Sequence, residues 1–279
     1  MTNRNNPANN DATLSRASAK DGTAIAYTVH GKDSGLPRLA LVHSLAMTGA
    51  FWNRVVARLA GHAEILTIDC RGHGASDKPS TPYSIEVMAD DLADVMDHLG
   101  WTSATVAGAS MGGSVALAFA GRHGNRTSAL GLFDTTAWYG ADAPEKWAER
   151  SAKARQEGMQ ALVGFQQTRW FSDAFREQNK DVVNDCVSLF LDNDVAAFET
   201  TCTMMGSFDL RSTLSSLTMP TAILVGEEDF ATPLPMATIL HEGIRGSSFG
   251  IIPSARHLTP VECPDVIADA LLKLISKGN

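Results

Sequence analysis

The chain is poor in cysteine and has no surplus of positive charge, and each shortage closes a route to function. Its four cysteines, Cys70, Cys186, Cys202 and Cys263, stand without C-x-x-C or other ligand spacing, so neither a disulfide framework nor a metal site is expected. A reducing compartment fits that usage, and no cofactor is implied. Lys and Arg number 23 against 31 Asp and Glu, a formal net charge of -8, which argues against nucleic acid and anionic membrane as partners. No run of about 18 consecutive apolar residues occurs, so no membrane span is expected. Residues 1–24, rich in Asn, Ala, Thr and Ser, hold no apolar stretch that would serve as a signal peptide. These absences predict a cytoplasmic protein with a small-molecule partner and a flexible tail over residues 1–20. They leave a homo-oligomer open.

Length is not in short supply. A chain of 279 residues buries about three quarters of its unfolded surface, so a large core forms without covalent staples. Alternation over residues 23–29 and short apolar runs at 38–43 and 64–69 read as opening strands. Ile85, Met88, Ala89, Leu92, Val95, Met96 and Leu99 recur at helical spacing behind Ser84 as N-cap, and the helix stops at Gly100. A strand at 104–107, a small-residue helix at 111–121 and a strand at 129–133 follow. This alternation predicts an α/β fold with a mostly parallel sheet and helices on both faces. Over 136–215 no convincing strand appears, and aromatic residues sit among helical charge patterns, which reads as an inserted helical cap. Strands resume at 222–225 and 249–252, each followed by a loop, and 264–275 has the spacing of a closing helix. The expected division is a core of 21–135 and 216–279 with the cap at 136–215.

Within this order, Gly108-Ala109-Ser110-Met111-Gly112 places a serine between small residues at a strand-to-helix junction. Such a turn exposes the serine hydroxyl above the sheet and aims the next backbone amides at whatever it attacks. A lone hydroxyl is a weak nucleophile, so the pattern demands a base and an acid elsewhere. In open α/β sheets those partners belong in loops after later strands. Gly226-Glu227-Glu228-Asp229 and Ser254-Ala255-Arg256-His257 qualify, which gives the chain order Ser110, Asp229, His257. His257 is the expected base and Asp229 the expected acid, chosen over Glu227 and Glu228 because the third residue after Gly226 is the usual place for it. The oxyanion of a tetrahedral intermediate needs two N–H donors, for which Met111 and Leu45, in the loop His43-Ser44-Leu45-Ala46, are the candidates. The loop 69–76 reads as a buttress, with no reacting role for His73 or Asp77. Cys70 reads as a buried, inert thiol.

These residues resemble the α/β-hydrolase superfamily, over about residues 24–275. Within it the chain is most similar to the 3-oxoadipate enol-lactonases. That narrower resemblance rests on Ser44-Leu45, on Gly158-Met159-Gln160-Ala161-Leu162 leading to Arg169-Trp170-Phe171, and on Ala255-Arg256-His257-Leu258 with Glu262-Cys263-Pro264 beyond. The sequence departs from the family at His43, where the lactonases often have asparagine, and at Ala46, where glycine is common. The resemblance implies hydrolysis of a small, carboxylate-bearing enol-lactone in aromatic catabolism. An anionic substrate calls for positive charge near the cap, so Arg150 and Arg169 are expected to contact it. Trp138, Trp147 and Trp170 are expected to wall the pocket, and Ser44 to hydrogen-bond the substrate. Each arginine is also explained by a solvated helix face, each tryptophan by packing, and Ser44 by a small residue tolerated in the turn. Other carboxylesterases, lactonases and carbon–carbon bond hydrolases share this fold, as would a receptor without turnover. Dehalogenase and epoxide hydrolase chemistry is disfavoured, because those relatives carry aspartate where Ser110 stands.

Overall fold

The structure is a computed structural model that describes residues 12–278. The first eleven residues of the expected tail lie outside the described residues. Strand β1 (Ser15–Ser18) occupies part of the rest, a correction to the tail's boundary. Its sequence, Ser-Arg-Ala-Ser, carries no apolar alternation. Antiparallel pairing with β2 (Ala24–His30) holds it, and only Ala17 is buried.

The chain continues through β3 (Arg38–Val42), α1 (Asn53–Leu59), β4 (Glu64–Ile68), α2 (Ile85–His98), β5 (Ala104–Ala109), α3 (Met111–Arg122) and β6 (Thr127–Phe133). Five helices then follow with no strand among them: α4 (Ala143–Glu157), α5 (Gln160–Trp170), α6 (Asp173–Gln178), α7 (Lys180–Leu191) and α8 (Val195–Ser207). The sheet resumes with β7 (Thr221–Gly226), α9 (Leu234–Gly243) and β8 (Ser248–Ile252), and the described chain ends in α10 (Thr259–Glu262) and α11 (Pro264–Gly278). The eight strands run in the order β1-β2-β4-β3-β5-β6-β7-β8, antiparallel at β1/β2 and β2/β4 and parallel elsewhere. This is the α/β hydrolase fold, with the mostly parallel sheet expected.

Burial explains the central strands. Every residue of β5 is buried, as a parallel strand covered on both faces must be. Helix α2 begins where its cap predicts, with the Ser84 hydroxyl accepting from the Val87 amide, and Gly100 ends it at φ 68°. Helices α1 and α9 were not expected from sequence. Helix α1 spans seven residues, too few to display a period, and α9 follows a proline-rich start that reads as loop.

The loop after β4 is locked in place by charge. Arg71, buried at 4% side-chain exposure, pairs with the equally buried Asp91 of α2 at 2.5 Å and with Asp21 at 3.0 Å. Asp69 accepts from the Gly49 and Ala75 amides at 2.7 and 2.8 Å. Removing one partner of a buried ion pair strands the other, so Arg71→Ala is expected to cost about 3 kcal/mol. Urea unfolding at neutral pH checks this, and a loss below about 1 kcal/mol would show that the pair does not anchor the loop.

Candidate active site

Ser110 sits between β5 and α3 with φ 55° and ψ −122°, a region that side-chain-bearing residues rarely adopt. The close approach behind it leaves no room for side chains. A Cβ on Gly108 would run into the Gly112 carbonyl, and one on Gly112 into the Val42 carbonyl at the end of β3. The turn is held by the Ser110 amide donating to Phe133 O at 2.9 Å and by the Thr135 hydroxyl donating to Ser110 O at 2.7 Å.

The loops after β7 and β8 bring their side chains to the same point. His257 Nε2 lies 2.8 Å from Ser110 Oγ, and His257 Nδ1 lies 2.8 Å from Asp229 Oδ2. All three residues are buried. Asp229 is held by the Ala231 and Thr232 amides at 2.7 and 2.9 Å and by the Thr232 hydroxyl at 2.9 Å. Burial alone would raise its carboxyl, but the His257 ring and these donors prevail and hold it below the usual carboxylate range. The rival acids point elsewhere. Glu227 accepts from the Ser254 amide, and Glu228 meets Arg256 at 3.3 Å. His73 is buried against the Arg71 carbonyl and Asp77 accepts from the Ala24 amide, so neither reaches Ser110 Oγ. Burial pushes the Cys70 thiol well up, consistent with an inert cysteine.

Two backbone amides remain the candidates for an oxyanion site beside Ser110. Met111 supplies the first amide of α3, which has no intrahelical acceptor and carries the positive end of the helix dipole. Leu45 lies in the loop after β3, beside Ala46 at φ 59°. Its N–H donates to no acceptor among the described residues.

A cavity of about 360 Å³ opens above Ser110 and His257. Of the residues expected to meet substrate, Ser44, Trp147, Arg150, Arg169 and Trp170 line it. Trp138 does not, and is corrected: its ring lies under the Arg211 guanidinium at 3.7 Å, and its backbone bridges to Asp209. In that extended stretch successive side chains point to opposite sides, so the next residue, Tyr139, takes the inward place. Tyr139 packs edge-on against Trp147 and Phe208, and burial raises its hydroxyl. Nothing in the sequence pattern singled it out. Asp134 was missed as well. It lies buried at the end of β6, accepting from the Gly226 amide at 3.0 Å and from the Thr259 amide and hydroxyl, and so ties together the loops that carry Asp229 and His257. An acidic residue ending an apolar strand was its only signal.

The cavity is positively charged. Arg150 stacks over Trp147 at 4.4 Å, and Arg169 over Phe165 at 4.9 Å. Burial lowers both guanidinium groups from their usual range, and for Arg150 the neighbouring Arg169 adds to this; neither forms an ion pair with a carboxylate among the described residues. Lys146, at the rim, is paired with Asp142 at 2.6 Å.

The backbone at Ser110 stores strain that glycine would release. Ser110→Gly is expected to be more stable than Ser110→Ala by about 1 kcal/mol, because both lose the hydroxyl and only glycine tolerates this φ and ψ. Thermal unfolding of the two variants side by side checks this, and equal stability would show that the turn is unstrained.

Comparison with known proteins agrees with this fold. The alpha/beta hydrolase fold family model matches residues 37–263. A 3-oxoadipate enol-lactonase from Acinetobacter baylyi is 27% identical over 255 residues, covering 88% of this chain and 91% of the relative. Among solved structures, the enol-lactonase from Burkholderia xenovorans superposes with a TM-score of 0.89 at 30% identity, covering 94% of this chain and all of that one. A thermophilic esterase from Thermogutta terrifontis, malate bound, superposes with a TM-score of 0.88 at 27% identity, over 96% of this chain and 99% of the esterase. With a family match spanning most of the folded chain, the protein belongs to the alpha/beta hydrolase fold family and is a hydrolase similar to the enol-lactonases.

Proposed function

We propose that the protein hydrolyses a small ester or lactone that carries a carboxylate, an enol-lactone of the 3-oxoadipate type being the leading case, with Ser110 as nucleophile. The observation that carries this reading is the juxtaposition of the Ser110–His257–Asp229 chain, at one cavity, with two guanidinium groups that have no ion-pair partner among the described residues. The similarity to enol-lactonases supports it. So does the esterase solved with malate, an organic dianion.

The chemistry follows from the distances. His257 Nε2 takes the Ser110 proton as Oγ attacks the carbonyl carbon, and Asp229 holds the other ring nitrogen's proton and stabilises the imidazolium that forms. The carbonyl oxygen becomes an oxyanion between the Leu45 and Met111 amides. On collapse the carbon–oxygen bond to the leaving group breaks, and His257 returns the proton to that oxygen. In a lactone the released enol stays tethered to the acyl group and isomerises to a ketone. Water, deprotonated by His257, then adds to the acyl carbon and frees Ser110 and a carboxylic acid.

Arg150 and Arg169 give the site its preference. Two half-buried cations with no ion-pair partner among the described residues repel each other, and a substrate carboxylate relieves both that repulsion and their incomplete solvation. Trp147, Trp170 and Tyr139 supply the apolar wall that leaves room for a compact ring. Ser44, at the mouth of the oxyanion loop, offers one further hydroxyl to the substrate.

Two measurements test the reading. Ser110→Ala is expected to abolish hydrolysis of an activated ester, and Asp229→Asn to lower the rate by on the order of 10³-fold or more while Glu228→Gln leaves it near wild type. A nearly silent Asp229→Asn with a crippled Glu228→Gln would move the acid role to Glu228. Arg169→Ala is expected to lower kcat/KM for 3-oxoadipate enol-lactone by on the order of tenfold or more, and for a neutral lactone of similar size by much less. Equal losses on both substrates would dismiss carboxylate recognition.

A further inference from the structure

His43 is fully buried, lies outside the cavity and takes no part in the proton transfers above. Both of its ring nitrogens are nevertheless committed. Nε2 lies 2.9 Å from the Cys70 amide nitrogen, which can only donate, so Nε2 must be the acceptor. The ring proton therefore sits on Nδ1, which lies 2.7 Å from Ser44 O and donates to it. The Ser44 carbonyl and the Leu45 N–H belong to one peptide unit. No cis bond occurs among the described residues, so carbonyl and N–H point in opposite directions across that plane.

We infer that His43 is the positioning residue of the oxyanion site: by donating from Nδ1 to Ser44 O, it turns the Ser44–Leu45 peptide so that the Leu45 N–H faces the Ser110 side. The inference rests on the ester-hydrolase reading of Ser110. A hydrogen bond accepted at the carbonyl also polarises the same amide and strengthens its N–H as a donor, so the ring tunes as well as aims. The Met47 amide donates to the same oxygen at 3.1 Å. Asn193, just beyond α7, donates to Ala46 O at 2.9 Å and holds the loop's strained residue from the opposite side. With Ala46 where the family often has glycine, the loop is fixed by these bonds rather than left to a flexible backbone. Burial holds the His43 imidazole down at about 4 despite its bond to Ser44 O, and the neighbouring His73 ring, 5.1 Å away, is held at about 3. The ring is therefore neutral at neutral pH.

Asparagine and glutamine separate the two ends of the ring. Asn Nδ2 reaches the place of Nδ1 and can donate to Ser44 O, whereas the longer Gln amide reaches the place of Nε2, where its oxygen can accept from Cys70 but no donor is left facing Ser44 O. With 4-nitrophenyl acetate as probe, His43→Asn is expected to keep kcat within about threefold of wild type. His43→Gln is expected to lose on the order of 10²-fold in kcat, the cost of a lost oxyanion donor, with KM within about threefold and an intact thermal transition. Nitrogen-15 NMR of histidine-labelled wild type is expected to show His43 as the neutral Nδ1–H tautomer. The positioning role is overturned if glutamine keeps kcat, if asparagine falls as far as glutamine, or if the wild-type ring carries its proton on Nε2. The tautomer decides the matter if either variant fails to fold. Absence of Ser110-dependent turnover in wild type would instead overturn the hydrolase reading itself, and the role of His43 with it.

Discussion

The close approach of three backbone segments behind Ser110 is the constraint on which the rest depends. The ends of β5 and β3 and the first turn of α3 meet with no space for a Cβ at Gly108 or Gly112. That proximity accompanies the unusual backbone conformation of Ser110, and it brings the start of α3 against the end of β3. Parallel order does the remainder. Because β3, β5, β6, β7 and β8 all run the same way, their carboxyl ends deliver Leu45, Ser110, Asp134, Asp229 and His257 to one edge of the sheet. Asp134 then links the last two loops through the Gly226 and Thr259 amides, so the segments carrying acid and base are tied to one side chain.

Electrostatics within this frame divides by location. The chain as a whole carries a net charge of -8, yet its cavity gathers Arg150 and Arg169, which have no carboxylate partner among the described residues. The aromatic faces of Trp147 and Phe165 stabilise those cations and hold them at the cavity wall. Beneath them Asp229 is kept ionised by His257 and its own loop amides. Under the proposed function, such a site would discriminate by charge at the wall and by hydrogen-bond geometry at the serine. These are separable contributions to binding and to chemistry.

How far all this was legible in the sequence differs from residue to residue. The elbow and the acid and base loops could be read because strands, glycines and chain order are local or one-dimensional signals, and the structure brings Ser110, Asp229 and His257 into a single hydrogen-bonded chain. Strand β1 could not, since Ser15–Ser18 is held by pairing rather than by its own pattern. Trp138 was expected at the pocket for a related reason: composition favours a tryptophan there, but its backbone bridge to Asp209 leaves Tyr139 lining the cavity instead. His43 stood out only as a departure from a family pattern, and its two hydrogen bonds depend on loops far apart in sequence. Tertiary geometry, rather than propensity, decides such cases.

The central claim is that Ser110 forms an acyl-enzyme. Rapid acid quench of the wild-type enzyme during turnover of 4-nitrophenyl acetate, followed by peptide mapping, tests it most directly. The account predicts an added acetyl group on the peptide that contains Ser110, confined to that residue by fragmentation. Label on another side chain alone would contradict it.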